Sequence, residues 1–256
     1  TYKLNEETVV KIKELINSKI SDNLVITKLT EYIPKITSEF DSSRRGKKFA
    51  DEWFSVIKTT KLNFTKYLDV GSNTGSITVE FGKNLGLNKD SIHGIDLDSF
   101  STQKIIPVKG FDFQYYNGLK IPFNDNTFDI ITCSMVLHHV KYQSILISDI
   151  RRVLKKNGII LIKEHDSKSE SVDNLIKLEH LLYDTLSLGL SYNNFSENYY
   201  FRQTNKSILK NIMLENGFTQ IKITDSFILE KYYKFNPTKH FYHIYTEPLP
   251  VLFLTL

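Results

Sequence analysis

Two sets of residues in this chain have types and spacings suited to chemistry. In the first, the apolar run Tyr67-Leu68-Asp69-Val70 enters the turn Gly71-Ser72-Asn73-Thr74-Gly75, and a second run, Ile92 to Ile95, ends in Asp96. Gly71 and Gly75 let backbone come close to a ligand and accept positive φ. A helix opening at residue 75 offers unpaired N–H groups and the positive end of its dipole. Asp69 is placed to accept from an ammonium group. The two oxygens of Asp96 match the two vicinal hydroxyls of a ribose. A nucleoside cofactor held across the carboxyl ends of parallel strands suits this arrangement, although a glycine turn with no ligand gives the same short string. A dinucleotide site is disfavoured. Its fingerprint needs a second glycine where Asn73 stands and a third where Ile77 and Thr78 stand.

The second set is polar. His138-His139 and Glu164-His165-Asp166 each leave an apolar run at the end where a crevice is expected. Glu164, His165 and His139 are the candidates for handling a proton. His138 and Asp166 are candidates for holding the substrate. Each has an equally ordinary structural use, since a histidine packs and a carboxylate caps a helix. These types also ligate metals, but an H-x-x-x-H spacing is absent, so no metal is expected. Farther along, Asp173, His180, Tyr183, Tyr192, Tyr199 and Tyr200 lie outside the strand pattern. Of these, His180, Tyr183 and Tyr199 are the candidate substrate contacts, by stacking on a ring. Packing of a cap helix would use the same aromatics.

Alternating elements position both sets. Strands are expected near 66–70, 91–95, 111–115, 127–133 and 158–164, with helices near 75–85 and 142–155, the latter stopping at Asn157-Gly158. This alternation predicts a mostly parallel sheet with helices on both faces. Before it, apolar residues at helical spacing (Val9, Ile12, Ile16, Ile20; Phe49, Trp53, Val56, Ile57) predict an N-terminal helical extension over 1–62. The domain proper is then 63–256, with 166–201 an insertion that covers the substrate. Leu175, Leu178, Leu182 and Leu186 mark a helix in that insertion. A helix near 204–216 and strands near 218–227 and 239–246 complete the chain, with Asn236-Pro237 between the two strands.

Composition narrows the class. With 256 residues, 17 Phe and 14 Tyr, the chain can bury a sizeable core. A net charge of +4 permits an anionic partner without demanding one. The basic run Arg44, Arg45, Lys47, Lys48 reads as a solvated helix start before it reads as a nucleic-acid site. The single cysteine, Cys133, sits in an apolar strand and has no partner within the chain, which fits a reducing, cytoplasmic setting. Neither a membrane span nor a leader is visible. The chain opens on Thr1, as a trimmed protein or a domain of a larger polypeptide or complex would.

The middle of the chain carries a resemblance. Asn117-Gly118-Leu119-Lys120-Ile121-Pro122-Phe123 leads to Phe128-Asp129, then Leu137-His138-His139, then Arg151-Arg152-Val153-Leu154-Lys155-Lys156-Asn157-Gly158. Together with the acidic glycine turn and Asp96, this set resembles the class I S-adenosylmethionine-dependent methyltransferases over about residues 66–165. The resemblance implies a Rossmann-like α/β fold with a seven-stranded, mostly parallel sheet whose last strand is antiparallel. It implies S-adenosylmethionine as cofactor. Asp69, Gly71, Asn73 and Gly75 would line its methionine end, Asp96 would hold the ribose and Leu97 would pack on the adenine. Asn117 would lie near the adenine amine, where the family usually has Asp, and Ser134 and Met135 would border the sulfonium. Asn73 in place of glycine is a second departure.

The acceptor is less determined. Glu164-His165-Asp166, His180 with Tyr183, and Asn236-Pro237 are similar to methyltransferase domains of large DNA viruses, some of them attached to mRNA-capping enzymes. RNA, at cap guanine N7, is therefore the leading expectation, and host cytoplasm the setting that a viral origin implies. N7 has a free lone pair and needs no base. Ribose 2′-O methylation is disfavoured because Cys133 and Ser134 stand where its catalytic Asp belongs. The alternatives are a small-molecule methyltransferase of the ubiquinone or sterol type, and a decayed binding or regulatory module, which Asn73 and Asn117 motivate.

Overall fold

A computed structural model describes residues 42–58, 60, 62–97, 105–166, 204–225 and 241–246, with Val10 and Glu14. The chain divides into two compact units, 1–40 with 171–199, and 41–170 with 200–256. Of the first, Val10 and Glu14 are described, both helical and exposed. The insertion helix around Leu175–Leu186, and the candidates Asp173, His180, Tyr183, Tyr192, Tyr199 and Tyr200, lie outside the described residues, as do Asn236 and Pro237.

The second unit is built on one sheet. Its elements are α1 (Ser42–Ile57), β1 (Tyr67–Val70), α2 (Ser76–Asn84), β2 (Ile92–Leu97), β3 (Asp112–Tyr116), β4 (Phe128–Ser134), α3 (Gln143–Val153), β5 (Leu154–His165), α4 (Lys206–Glu215), β6 (Ile221–Asp225) and β7 (Phe241–Thr246). The strand order is β3-β2-β1-β4-β5-β7-β6. The five strands β3, β2, β1, β4 and β5 pair parallel throughout. β7 runs antiparallel to both β5 and β6. The order reverses at β1, so β1, β2 and β4 open a crevice at their carboxyl ends.

Alternation along the central strands feeds two cores, one on each face. Leu68, Val70, Ile131, Cys133, Ile160 and Ile162 pack against Leu146, Ile150, Leu209 and Met213 of α3 and α4. Tyr67, Ile92, Ile130, Ile159 and Leu161 pack with Trp53 and Ile57 of α1 and Phe81 of α2. Both faces of the sheet are thus covered, as buried parallel sheets require. α1 shares the core of the sheet rather than standing apart from it. Its Gly46 lies so close to α2 that a Cβ there would sit 2.7 Å from the Ser76 carbonyl oxygen.

One boundary differs from the sequence reading. α3 does not run on to Asn157-Gly158. It ends at Val153, and Leu154 is already extended and paired with Phe128. The register shifts between Phe128 and Ile130, and a Cβ at Gly158 would press on the Leu154 side chain and the Asp129 carbonyl oxygen. Gly158 therefore serves a crowded bulge inside β5, and not a helix stop. α4 falls within the expected helix near 204–216, and Gly217, with φ 79°, follows its end, where Phe218 N–H returns to the Met213 carbonyl at 3.0 Å.

Candidate functional site

The turn after β1 is tied to β2 by backbone. Gly71 and Ser72 N–H both donate to the Ile95 carbonyl, at 2.8 and 3.1 Å. Gly71, Asn73 and Gly75 all have positive φ (74°, 47° and 79°). Asn73 takes this conformation more readily than most side chains, and its own Oδ1 accepts from Thr74 N–H. A Cβ on Gly71 would collide with Val136, and one on Gly75 with the Phe111 ring. Both glycines are thus demanded twice, by φ and by space.

Asp96 stands at the end of β2, partly exposed, and its carboxylate is aimed by two backbone donors. Asn73 N–H reaches Oδ2 at 2.7 Å and Leu97 N–H reaches Oδ1 at 2.8 Å. Each oxygen keeps further acceptor capacity, which suits a diol. Burial raises its pKa, against those two hydrogen bonds. Asp69 is in a different position. It is buried, with Oδ2 accepting from Thr78 Oγ1 at 2.6 Å and Oδ1 from Thr132 Oγ1 at 2.7 Å. Tyr67 and Thr132 hydroxyls continue the chain at 2.7 Å. Burial pushes the Asp69 carboxyl up to about 6, with Asp96 adding repulsion and the two threonines opposing. Asp69 braces β1 against α2 and β4. Asn117 also holds its own loop, its Oδ1 accepting from Leu119 and Lys120 N–H.

The β4 and β5 ends bring the other candidates together. Met135 follows Ser134 with φ 59°, and its N–H donates to the Lys163 carbonyl at 2.8 Å. The chain then makes a short turn, Leu137–His139. His138, Glu164, His165 and Asp166 are all buried. Glu164 bonds His138 Nδ1 through Oε1 and accepts His138 N–H through Oε2, and it also accepts from His165 N–H at 2.8 Å. The His138 ring lies 3.9 Å from that of His139 and 4.9 Å from that of His165, centroid to centroid. Burial raises the Glu164 pKa, and the neighbouring imidazoles and N–H groups oppose it. Asp166 accepts from Lys206 N–H at the start of α4.

Several motif residues turn out to be braces. Arg152 donates to Asp149, to Asp125 and to the carbonyls of Phe123 and Ile121, while Ile121 N–H donates to Asp149. This joins the two motif segments, Ile121-Pro122-Phe123 and Arg151-Arg152, into one corner. Asp129 accepts from Thr65, Lys66 and Lys155. Burial works to raise its pKa, but those donors outweigh it and hold the carboxyl below its usual range. Sequence reasoning also missed Lys163. It is buried in β5, 2.9 Å from Glu52 of α1, with its ammonium 4.0 Å from the Phe49 ring centroid. A lone lysine in an apolar strand beside a helical glutamate was the available signal.

Residues 68–162 match a family model described as a methyltransferase domain. The match covers less than half of the chain and marks this stretch as similar to S-adenosylmethionine-dependent methyltransferase domains. The chain is 33% identical over 131 residues to the ubiquinone/menaquinone biosynthesis C-methyltransferase UbiE of Marinomonas sp. (strain MWYL1), covering 48% of this chain and 49% of that one. It thus spans about half the length of that relative. It is 24% identical over 169 residues to the demethylmenaquinone methyltransferase of Staphylococcus aureus (strain JH9), covering 62% and 70%. In fold it is similar to a SAM-dependent methyltransferase from Archaeoglobus fulgidus, with TM-score 0.55, 14% identity and coverage of 79% and 93%. The matched stretch has residues that fit S-adenosylmethionine: a positive-φ turn whose backbone is fixed, and a carboxylate at the end of β2 with acceptor capacity to spare. A viral origin finds no support in these similarities. Among the described residues, no helix is long and apolar enough to cross a membrane.

Proposed function

We propose that the chain transfers the methyl group of S-adenosylmethionine to a small hydroxylated ring compound, of the quinol kind, in preference to RNA. The observation that carries this reading is the convergence of buried imidazoles and a carboxylate at the β4 and β5 ends. That machinery is superfluous for an acceptor with a free lone pair, such as guanine N7. It suits an acceptor that must lose a proton as the new bond forms. The names of the quinone-pathway relatives point the same way.

The bound cofactor supplies an activated methyl on a sulfonium. What the chain supplies is position, a dry site and a place for a proton. Asp96 holds the ribose, Leu97 packs on the adenine and Asn117 lies at its edge. Gly71, Asn73 and Gly75 shape the methionine end, with Asp69 bracing the turn from beneath. Ser134 and Met135 border the sulfur, and the positive φ of Met135 turns the chain there. Glu164, His165 and His139 act on the acceptor, and His138 and Asp166 complete its wall.

The test is methyl transfer from labelled S-adenosylmethionine to a panel of reduced quinones and phenols, with capped RNA in parallel. Label in the ring compounds supports the proposal. Label in RNA alone overturns it in favour of cap methylation, and binding of cofactor with no transfer to any acceptor favours the decayed module.

A further inference from the structure

The spacing of its histidines argues against a metal in this chain, yet the fold assembles a donor set that spacing could not show. His138 comes from the turn after β4, and Glu164 and His165 are the last two residues of β5. One ligand-type atom from each lies within 4.8 Å of the others, and all three residues are buried, at 1%, 0% and 2% exposure. Two imidazoles and one carboxylate are what borderline divalent ions such as zinc, cobalt, iron or manganese take from proteins.

A buried carboxylate needs positive charge beside it. Successive side chains of a strand alternate between faces, so Lys163, next to Glu164 in β5, is directed away from it and pairs with Glu52 on the α1 side. Lys206, a half-buried cation described nearby, reaches Asp166 at 3.6 Å. Among the described residues, Glu164 is then balanced by a proton, on the carboxyl or on an imidazole, or by a cation. One proton needs at most one imidazole. Here a second ring, His165, is brought edge-on to His138, 68° between planes, and its own backbone N–H already fixes Glu164. That clustering exceeds what a hydrogen-bonded pair requires and supplies three ligand positions.

We infer that His138, Glu164 and His165 form a binding site for a single borderline divalent ion. Resting on the methyl-transfer reading, its role follows: Glu164 and His165 act on the acceptor through the ion, which would polarise its hydroxyl oxygen, and His139 is left to take the proton. The binding itself does not depend on that reading.

The experiment uses the full chain after chelator treatment and dialysis, titrated with cobalt(II) and read by its visible ligand-field absorption, with zinc competition. The same samples are titrated with S-adenosylmethionine by calorimetry. One equivalent of cobalt, displaced by zinc, is expected. His165→Ala and Glu164→Gln should weaken uptake by about tenfold or more, while cofactor binding shows that the variants remain folded. His93→Ala, at the β2 edge beside Asp112, should leave uptake unchanged. Absence of saturable uptake by the wild-type chain, or uptake unaltered in a cofactor-binding His165→Ala variant, overturns the inference. Uptake without cofactor binding supports the metal site and counts against methyl transfer.

Discussion

The two ends of the crevice are built by different means. At β1 and β2 the shape is set by backbone: positive φ at three positions, two N–H groups on the Ile95 carbonyl, and a carboxylate aimed by two more N–H groups. At β4 and β5 it is set by side chains that are buried and touch one another across 26 residues of sequence. A backbone-built end tolerates little change in its glycines but accepts a departure such as Asn73. A side-chain-built end can change its chemistry by single substitutions while the fold stands. This is consistent with a shared cofactor and a variable acceptor.

The sharpest way to break the backbone end is Gly71→Val. Positive φ on a β-branched residue and the collision with Val136 together should cost roughly 4 kcal/mol of stability, read by chemical denaturation, and cofactor binding should be lost. Retained stability would show that the turn is not held as described.

Asp69 offers a pH test of the same end. Its folded pKa, about 6, lies above the ordinary carboxyl value. The folded state therefore holds this proton more tightly than the unfolded chain. Its contribution is fully present below about pH 4 and is lost as pH rises through about 6, a change on the order of 3 kcal/mol. Denaturation between pH 4 and 7 should show wild type losing stability relative to Asp69→Asn across that window. Parallel curves would place the proton elsewhere.

Arg152→Met should remove the corner brace and cost about 2 kcal/mol, with cofactor affinity little changed, since the brace touches neither end of the crevice. A large loss of affinity with stability intact would make it part of the site.

Much of the backbone end was legible because its signals are local. Two glycines, an acid near the end of each strand and the alternation of apolar runs all fall within short windows. The remainder depended on tertiary pairing. Gly158 looked like a helix stop because the bulge that needs it is made with β4. Asp69 read as a ligand, and its bracing of Thr78 and Thr132 shows only when α2 and β4 close on it. The union of His138 with Glu164 and His165 has no sequence period, because it is made where two parallel strands end side by side. Arg152 and Asp129 were visible as motif letters, but their structural roles were not.

The most direct test of the account is calorimetric titration of the wild-type chain and Asp96→Ala with S-adenosylmethionine. Wild type should bind one-to-one at micromolar affinity, weakened about tenfold to hundredfold in the variant because ribose hydroxyls lose their partners, with folding intact. No binding by wild type, or equal binding by the variant, would contradict it.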